Sequence, residues 1–200
     1  MEQVNTPAAE NAFYDMSADP VDKELILRAG RGDTAAWQDL VTKYQTPVFR
    51  FAYLIMGETS AAEDVAQETF IRAFLKLNSF DVERPLRPWL LQIAKNLARN
   101  KRRSMGRYWA AIQRFLHYNQ PDLISEPDFT QVDSELLWVA VRRLKPAAQE
   151  VVYLRYFMEL SEAETAVTLD IPPGTVKSRL HRALKKLRQV IEESYPELKP

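Results

Sequence analysis

The residues in this chain most suited to chemistry are cationic, and they are concentrated in two stretches. Residues 171–188 read IPPGTVKSRLHRALKKLR and contain seven Lys, Arg or His residues but no Asp or Glu. Residues 84–115 hold nine Lys or Arg residues, again without a carboxylate. The chain has no net charge because the segments 1–83 and 116–172 are acidic. Two separated basic zones indicate a polyanionic partner with two points of contact, whereas either zone alone could be a solvated helix face.

The C-terminal basic zone has the order of a helix-turn-helix. Ser161 and Glu164 have capping-box spacing, which predicts a short helix over 161–169. A tight turn at 170–173 and a longer helix from 174 to about 192 follow. The longer helix has an apolar stripe formed by Val176, Leu180, Leu184 and Leu187. This pattern predicts a DNA-reading module, and a packing hairpin of a helical bundle is the alternative.

Six residues near the start of the last helix lie off its apolar stripe, where a recognition helix meets base edges and phosphates. Lys and Arg neutralise phosphates, Arg or Lys also reads guanine, and Ser or Thr reaches either target. The candidate DNA-binding residues are Thr175, Lys177, Ser178, Arg179, His181 and Arg182. His181 could also be an ordinary surface residue.

Helical periodicity dominates the first hundred residues as well. The segment VDKELILRAGRGD predicts a short helix that ends near Gly30 or Gly32. Asp33 is placed to cap a long second helix, which Pro47 would bend or interrupt and Gly57 would end.

Two more helices are predicted before residue 104. The third begins at Ser60 with Glu63 in the capping-box position, and its apolar residues are Val65, Phe70, Phe74 and Leu77. The fourth begins near Trp89 and runs into the KRR of residues 101–103. No stretch alternates with a period of two, so strands are absent or few.

These elements predict an all-α protein with two helical domains joined by a flexible linker. An N-terminal tail at 1–20 precedes a first domain at 21–103. Residues 104–131 form the linker, helical at first and then rich in proline and acids, and the second domain covers 132–194.

Several classes of function are poorly supported. The chain has no Cys and only two distant His residues, so it predicts no metal site. It contains no phosphate-binding glycine loop and no nucleophile set, so we expect neither a cofactor nor catalysis. No window has the roughly 18 apolar residues of a membrane span, and the acidic start is unlike a signal peptide. A cytoplasmic protein without membrane insertion is therefore expected.

Three motifs together resemble the extracytoplasmic-function sigma factors, a group of bacterial RNA polymerase sigma factors. AEDVAQETFIRAF (62–74) is similar to the family's polymerase-binding helix, and RPWLLQIAKNLARNKRR (87–103) to its promoter-opening helix. Residues 144–188 are similar to its C-terminal domain. The resemblance covers about 21–103 and 132–190, and it implies sigma region 2 and sigma region 4 for the two domains.

The resemblance also implies roles for individual residues. The third helix would dock on the clamp coiled coil of the largest polymerase subunit through Asp64, Gln67, Glu68 and Arg72. The loop 80–88 and the fourth helix would bind the −10 promoter element as an unpaired strand. The residues for that contact are Lys95, Asn96, Arg99, Asn100, Lys101, Arg102 and Arg103. Trp89 is favoured as core over base stacking, and the last helix would read the −35 element as duplex.

By the same resemblance, the protein would direct promoter recognition, promoter melting and transcription initiation, and an anti-sigma factor would cover these surfaces. The acids of the linker, Asp122, Glu126 and Asp128, either mimic nucleic acid in a basic channel of the polymerase or are ordinary solvated residues. One departure is Asp170, which stands where family members usually have Gly. The alternative is a stand-alone helix-turn-helix regulator whose N-terminal domain dimerises or senses a ligand.

Overall fold

The structure is a computed structural model that describes residues 18–116 and 138–194, with side chains for 18–107 and 138–193. Every regular element in these ranges is helical, which confirms the all-α prediction. The first domain contains α1 (Pro20–Gly30), α2 (Thr34–Met56), α3 (Thr59–Lys76) and α4 (Leu86–Leu116). The second contains α5 (described over 138–142), α6 (Pro146–Val152), α7 (Glu162–Leu169) and α8 (Pro173–Ser194). A π-helical turn at Tyr153–Phe157 extends α6.

The ends of α1 and α2 agree with the sequence prediction. Asp33 accepts hydrogen bonds from the backbone N–H groups of Ala35 and Ala36 and so caps α2. Pro47 lies inside α2 without ending it. The helix stops at Gly57, whose φ of 75° requires the left-handed conformation that glycine adopts most easily.

The predicted start of α3 is wrong by one residue, and its cap is different. Glu58 is the N-cap, and its carboxylate accepts from the backbone N–H groups of Ser60 (2.8 Å) and Ala61 (2.7 Å). Ser60 therefore lies in the first turn and also donates its hydroxyl to Glu58. The longer Glu58 side chain reaches the unpaired N–H groups first, so the Ser60–Glu63 capping box does not form.

The core of the first domain lies between α2, α3 and α4. Phe51 on α2, Val65 on α3 and Leu91 on α4 are almost completely buried. Phe74, one of the predicted apolar residues of this helix, is 51% exposed, and its ring lies 5.2 Å from the ring of Trp37 between centroids. The inner side of α3 at this level is occupied by Ala73 and Leu77, which leaves Phe74 on the outer side.

The second domain packs α6, α7 and α8 around an aromatic cluster that includes Trp138 and Tyr153. The capping box of α7 is present as predicted: Ser161 accepts from the N–H of Glu164, and Glu164 accepts from the N–H of Ser161. Asp170 ends α7 with φ 58° and so takes the left-handed conformation expected of the usual glycine. Asp and Asn tolerate this conformation better than other residues with a side chain.

The two domains contact each other directly, because α4 packs against α7. Residues 104–116 of the predicted linker belong to α4, which agrees with the prediction that the linker's first half is helical. Residues 117–131, with the three linker acids, and the predicted tail residues 1–17 lie outside the described residues.

Candidate nucleic-acid interface

The first cationic surface is the outer face of α8. Val176 is fully buried and, with Ala183 and Leu187, fixes the helix on its own domain. Four of the six predicted residues are exposed, and Thr175 and Arg179 are partly exposed. Among the described residues, no carboxylate forms an ion pair with Lys177, Arg179 or Arg182. The helix therefore presents an uncompensated positive face at the position of a recognition helix.

The second cationic surface is on α4, and only part of it faces solvent. Asn96, Arg99, Asn100, Arg102 and Arg103 are exposed, and Lys101 is partly exposed. Lys95 is 2% exposed. Lys95 therefore does not share the solvent-facing surface of the other six predicted residues, and the assignment of the set to the −10 element stays a prediction.

Lys95 points into the interface between the domains. Its ammonium donates a 2.7 Å hydrogen bond to the backbone carbonyl of Thr168 at the end of α7. Burial lowers the pKa of Lys95 to about 8, and the nearby charge of Arg99 acts in the same direction. The carboxylates of Glu150 and Asp170 oppose this shift by favouring the charged form of Lys95. In this conformation Lys95 cannot reach DNA.

Arg99 contacts the second domain from the rim of the same interface. Its Nε donates to one oxygen of the Glu150 carboxylate at 2.5 Å, and its Nη2 donates to the other oxygen. The Glu150 side chain is 3% exposed, whereas that of Arg99 is 43% exposed. This paired geometry is the strong form of an Arg–carboxylate contact, and it occupies a guanidinium that was predicted to hold phosphate.

The predicted polymerase contacts lie together on the outer side of α3. Asp64, Gln67 and Arg72 are exposed and Glu68 is half-buried. Arg72 donates to Glu68 at 2.6 Å, and Asp64 accepts from Lys101 of α4, also at 2.6 Å. An apolar groove of about 620 Å³ between α2 and α3 adjoins these residues, with Gln67 on its edge. The surface thus combines carboxylates with an apolar channel.

Sequence reasoning missed the residues of the second domain that hold α4. Glu150, Thr168 and Met158 contact Arg99, Lys95 and Arg87 respectively. The spacing of Lys95 was an available signal, because Leu91 lies four residues before it and Ala98 three residues after it, and both are fully buried. A cation on a buried stripe indicates a nearby acceptor rather than solvent.

No metal site and no membrane span emerge in the parts of the chain that the structure describes. They contain no cluster of three or more His, Cys, Asp or Glu residues that could hold a metal ion. None of the described helices is long and apolar enough to cross a membrane.

Comparison with protein families gives two matches, one in each domain. Residues 40–108 match the family model described as "Sigma-70 region 2", and residues 134–187 match "Sigma-70, region 4". The ECF RNA polymerase sigma factor SigW of Bacillus subtilis is 32% identical over 183 residues, which cover 86% of this chain and 97% of SigW. SigL of Mycobacterium tuberculosis, also an ECF sigma factor, is 32% identical over 84% of this chain and 96% of its own length.

Two solved structures share the fold. The first is CnrH in complex with the cytosolic domain of CnrY, with a TM-score of 0.65 and 23% identity over 86% of this chain and 98% of CnrH. The second is the sigma factor RpoE in complex with the anti-sigma factor NepR from Bartonella quintana. Its TM-score is 0.64, with 22% identity over 78% of this chain and 96% of RpoE.

Proposed function

We propose how this chain, which belongs to the extracytoplasmic-function family of RNA polymerase sigma factors, recognises and opens a promoter. A sigma factor directs transcription initiation, and membership of this family disfavours the alternative of a stand-alone regulator. The observation that carries the proposal is the division of cationic residues between two separate helices, α4 and α8, in the two family domains. We assign the chain no catalysis of its own, and we propose that it acts in the cytoplasm, where the polymerase is.

In this proposal α8 enters the major groove of the −35 element. Its N-terminal residues contact base edges and phosphates, as in other helix-turn-helix proteins. Arg179 and Arg182 supply the charge for phosphate or guanine contacts, and Ser178 is short enough to allow close approach. The outward orientation of these residues supports the assignment.

We assign the −10 element to α4 and the loop before it. Single-strand capture needs a basic surface together with pockets for unstacked bases. Separating the strands costs a few kcal/mol per base step, and binding of the open strand must offset that cost. Asn96 and Asn100 are exposed beside Arg102 and Arg103, so this part of α4 offers both amide and cationic groups to a strand.

We assign docking on core polymerase to α3. An outer face with Asp64 and Glu68 suits a basic coiled coil, and the neighbouring apolar groove offers area for burial. The clamp of the largest polymerase subunit is the proposed partner. We also propose an anti-sigma factor as a second partner, because the two similar structures were solved with the cytosolic domain of CnrY and with the anti-sigma factor NepR.

Run-off transcription tests this function most simply. Purified core polymerase is assayed on a promoter library with and without the chain, and we expect specific transcripts only when the chain is present. Binding of duplex promoter DNA by the chain alone, as a symmetric dimer and without any effect on initiation, would instead support the stand-alone regulator.

A further inference from the structure

We propose that a cavity between the two domains binds a small phosphate-bearing anion, held by Arg50 of α2 and Arg87 of α4. The residues assigned to promoter and polymerase binding do not include these two arginines. The binding itself is independent of the proposed function, and only its effect on transcription rests on that function.

The cavity lies where the middle of α2 and the start of α4 meet the segment that follows α6. Its volume is about 280 Å³, and its walls include Arg50, Arg87, Met158 and Glu159. Pockets for drug-sized ligands usually measure about 300–1,000 Å³. This cavity is therefore suited to a compact group such as a phosphate.

The second domain fixes Arg87 in the wall of the cavity. Its Nη2 donates a 2.8 Å hydrogen bond to the backbone carbonyl of Met158. Its Nε is buried and has no acceptor among the residues that the structure describes. A guanidinium has five N–H donors, and a buried donor without an acceptor is destabilising. Arg87 is thus suited to a ligand that brings several oxygen atoms.

Arg50 supplies the second cation of the cavity. It is exposed on α2, and within the described part of the chain its side chain forms no ion pair and no hydrogen bond. Arginine suits phosphate because its planar fork of donors can bind two oxygen atoms of one group. Two guanidinium groups in one concave site also attract an anion more strongly than either would on an open surface.

Glu159 opposes this attraction. It also lines the cavity, and it forms no ion pair with either arginine. Counting Arg50, Arg87 and Glu159, these walls carry two positive charges and one negative charge. The site is therefore still cationic, and removal of the Glu159 charge should strengthen the binding of an anion.

Both domains build the cavity, so binding depends on how they are arranged. Arg50 and Arg87 belong to the first domain, whereas Met158 and Glu159 belong to the second. Separation of the domains would remove the carbonyl of Met158 that holds Arg87 in place. A ligand that prefers the fixed guanidinium stabilises the arrangement seen in the structure by mass action.

Isothermal titration of the full chain with inorganic phosphate, at constant ionic strength, measures the site. We expect one saturable site in the wild type. Arg50→Gln should weaken it about tenfold because a charge-assisted contact is lost, and Glu159→Gln should tighten it severalfold. Arg31→Gln, at an exposed arginine of the first domain outside the cavity, is the matched control and should behave as wild type. Arg50 and Glu159 are exposed, and circular dichroism checks that both variants keep their helices.

Three results would overturn the site. Equal phosphate affinity in the wild type, Arg50→Gln and Glu159→Gln, or no saturable binding, would indicate an adventitious ion only. Tighter binding of adenosine 5′-monophosphate than of inorganic phosphate would contradict a compact ligand. If Arg50→Gln weakens binding of a single-stranded oligonucleotide and leaves phosphate binding unchanged, the arginines belong to a DNA surface instead.

Run-off transcription separates this site from the proposed function. Phosphate at the concentration that half-saturates the site should reduce initiation by the wild type, because the stabilised arrangement keeps Lys95 buried. Arg50→Gln should initiate as well as the wild type without phosphate and resist its effect. Equal inhibition of both would contradict the effect on transcription. If no variant gives transcripts, the proposed function fails, and the titration still decides whether the site exists.

Discussion

The two helices to which we assign DNA binding, α4 and α8, carry similar cations in different environments. On α8, Lys177 and Arg182 face solvent and have no carboxylate partner among the described residues. On α4, Lys95 is buried and Arg99 is bound to Glu150. A high density of positive charge therefore does not by itself make a surface available to nucleic acid.

The difference follows from where each cation sits relative to its apolar stripe. The α8 cations lie opposite Val176 and Leu187, so packing of the helix leaves them outside. Lys95 lies between Leu91 and Ala98 on the buried side of α4, so contact with a neighbour covers it. The cations of α8 are thus accessible to a ligand, whereas Lys95 of α4 is not.

Charge reversal on α3 should have the largest effect, because both DNA surfaces depend on docking to the polymerase. We expect Asp64→Arg with Glu68→Lys to weaken association with core polymerase about a hundredfold or more, as expected when two interfacial charges become repulsive. Co-sedimentation or surface binding with core polymerase measures this. Glu24→Lys, exposed on α1, is the control, and wild-type association of the double variant would remove α3 from the docking surface.

Arg182→Ala tests the proposed −35 surface on α8 alone. Loss of one phosphate or base contact should weaken promoter-dependent transcription about tenfold and reduce the salt dependence of duplex binding by about one ion. Gln189→Ala further along α8 serves as the control. Unchanged initiation with Arg182→Ala would remove this residue from the DNA contacts.

Asn96→Ala tests the part of the proposed −10 surface on α4 that faces solvent. Asn96 is exposed on α4, so its loss should leave polymerase binding intact. Open-complex formation should fall about fivefold, which corresponds to the net free energy of about one hydrogen bond. Permanganate reactivity of unpaired thymines reports strand opening. An equal loss of polymerase binding and of opening would contradict the placement of Asn96 at the −10 strand.

The contact between α4 and α7 that buries Lys95, called closure here, should depend on pH, and this is the smallest expected effect. The pKa of Lys95 is lowered to about 8 by burial in the closed form, so the proton favours the open form. Closure should strengthen as pH rises from about 8 toward the ordinary lysine range and stay level below it. The charged groups that act on Lys95 are Arg99, Glu150 and Asp170, and burial raises the pKa of Tyr153 to about 12. Energy transfer between dyes on Gln38→Cys of α2 and Gln189→Cys of α8 reports closure, because the chain has no other cysteine. Energy transfer that does not rise between pH 7.5 and 9.5, or rises equally after Lys95→Met, would contradict this assignment.

Local signals predicted most of the fold. The caps at Asp33 and Ser161 and the stop at Gly57 depend on nearby backbone groups, and all three were readable from short stretches. The start of α3 was misread because Glu58 and Ser60 both offer oxygen atoms to the same N–H groups. Choosing between them requires knowing how far each side chain reaches, and the spacing of residues in the sequence does not give this.

The interface between the domains was beyond local prediction. Glu150 and Arg99 are separated by 51 residues in the chain, and Lys95 and Thr168 by 73. Periodicity places each residue on a face of its own helix, but it does not say which two faces meet. The family resemblance predicts two DNA surfaces and a polymerase surface, and it gave no indication that Lys95 in one of them is buried.

Lysine labelling followed by mass spectrometry compares the two surfaces most directly. In the free chain Lys177 should react rapidly with an acetylating reagent and Lys95 slowly, although the lowered pKa of Lys95 leaves more of it in the reactive neutral form. Addition of core polymerase, or Glu150→Gln, should raise the rate at Lys95. Rapid labelling of Lys95 in the free wild-type chain, at the rate of Lys177, would contradict the closed −10 surface.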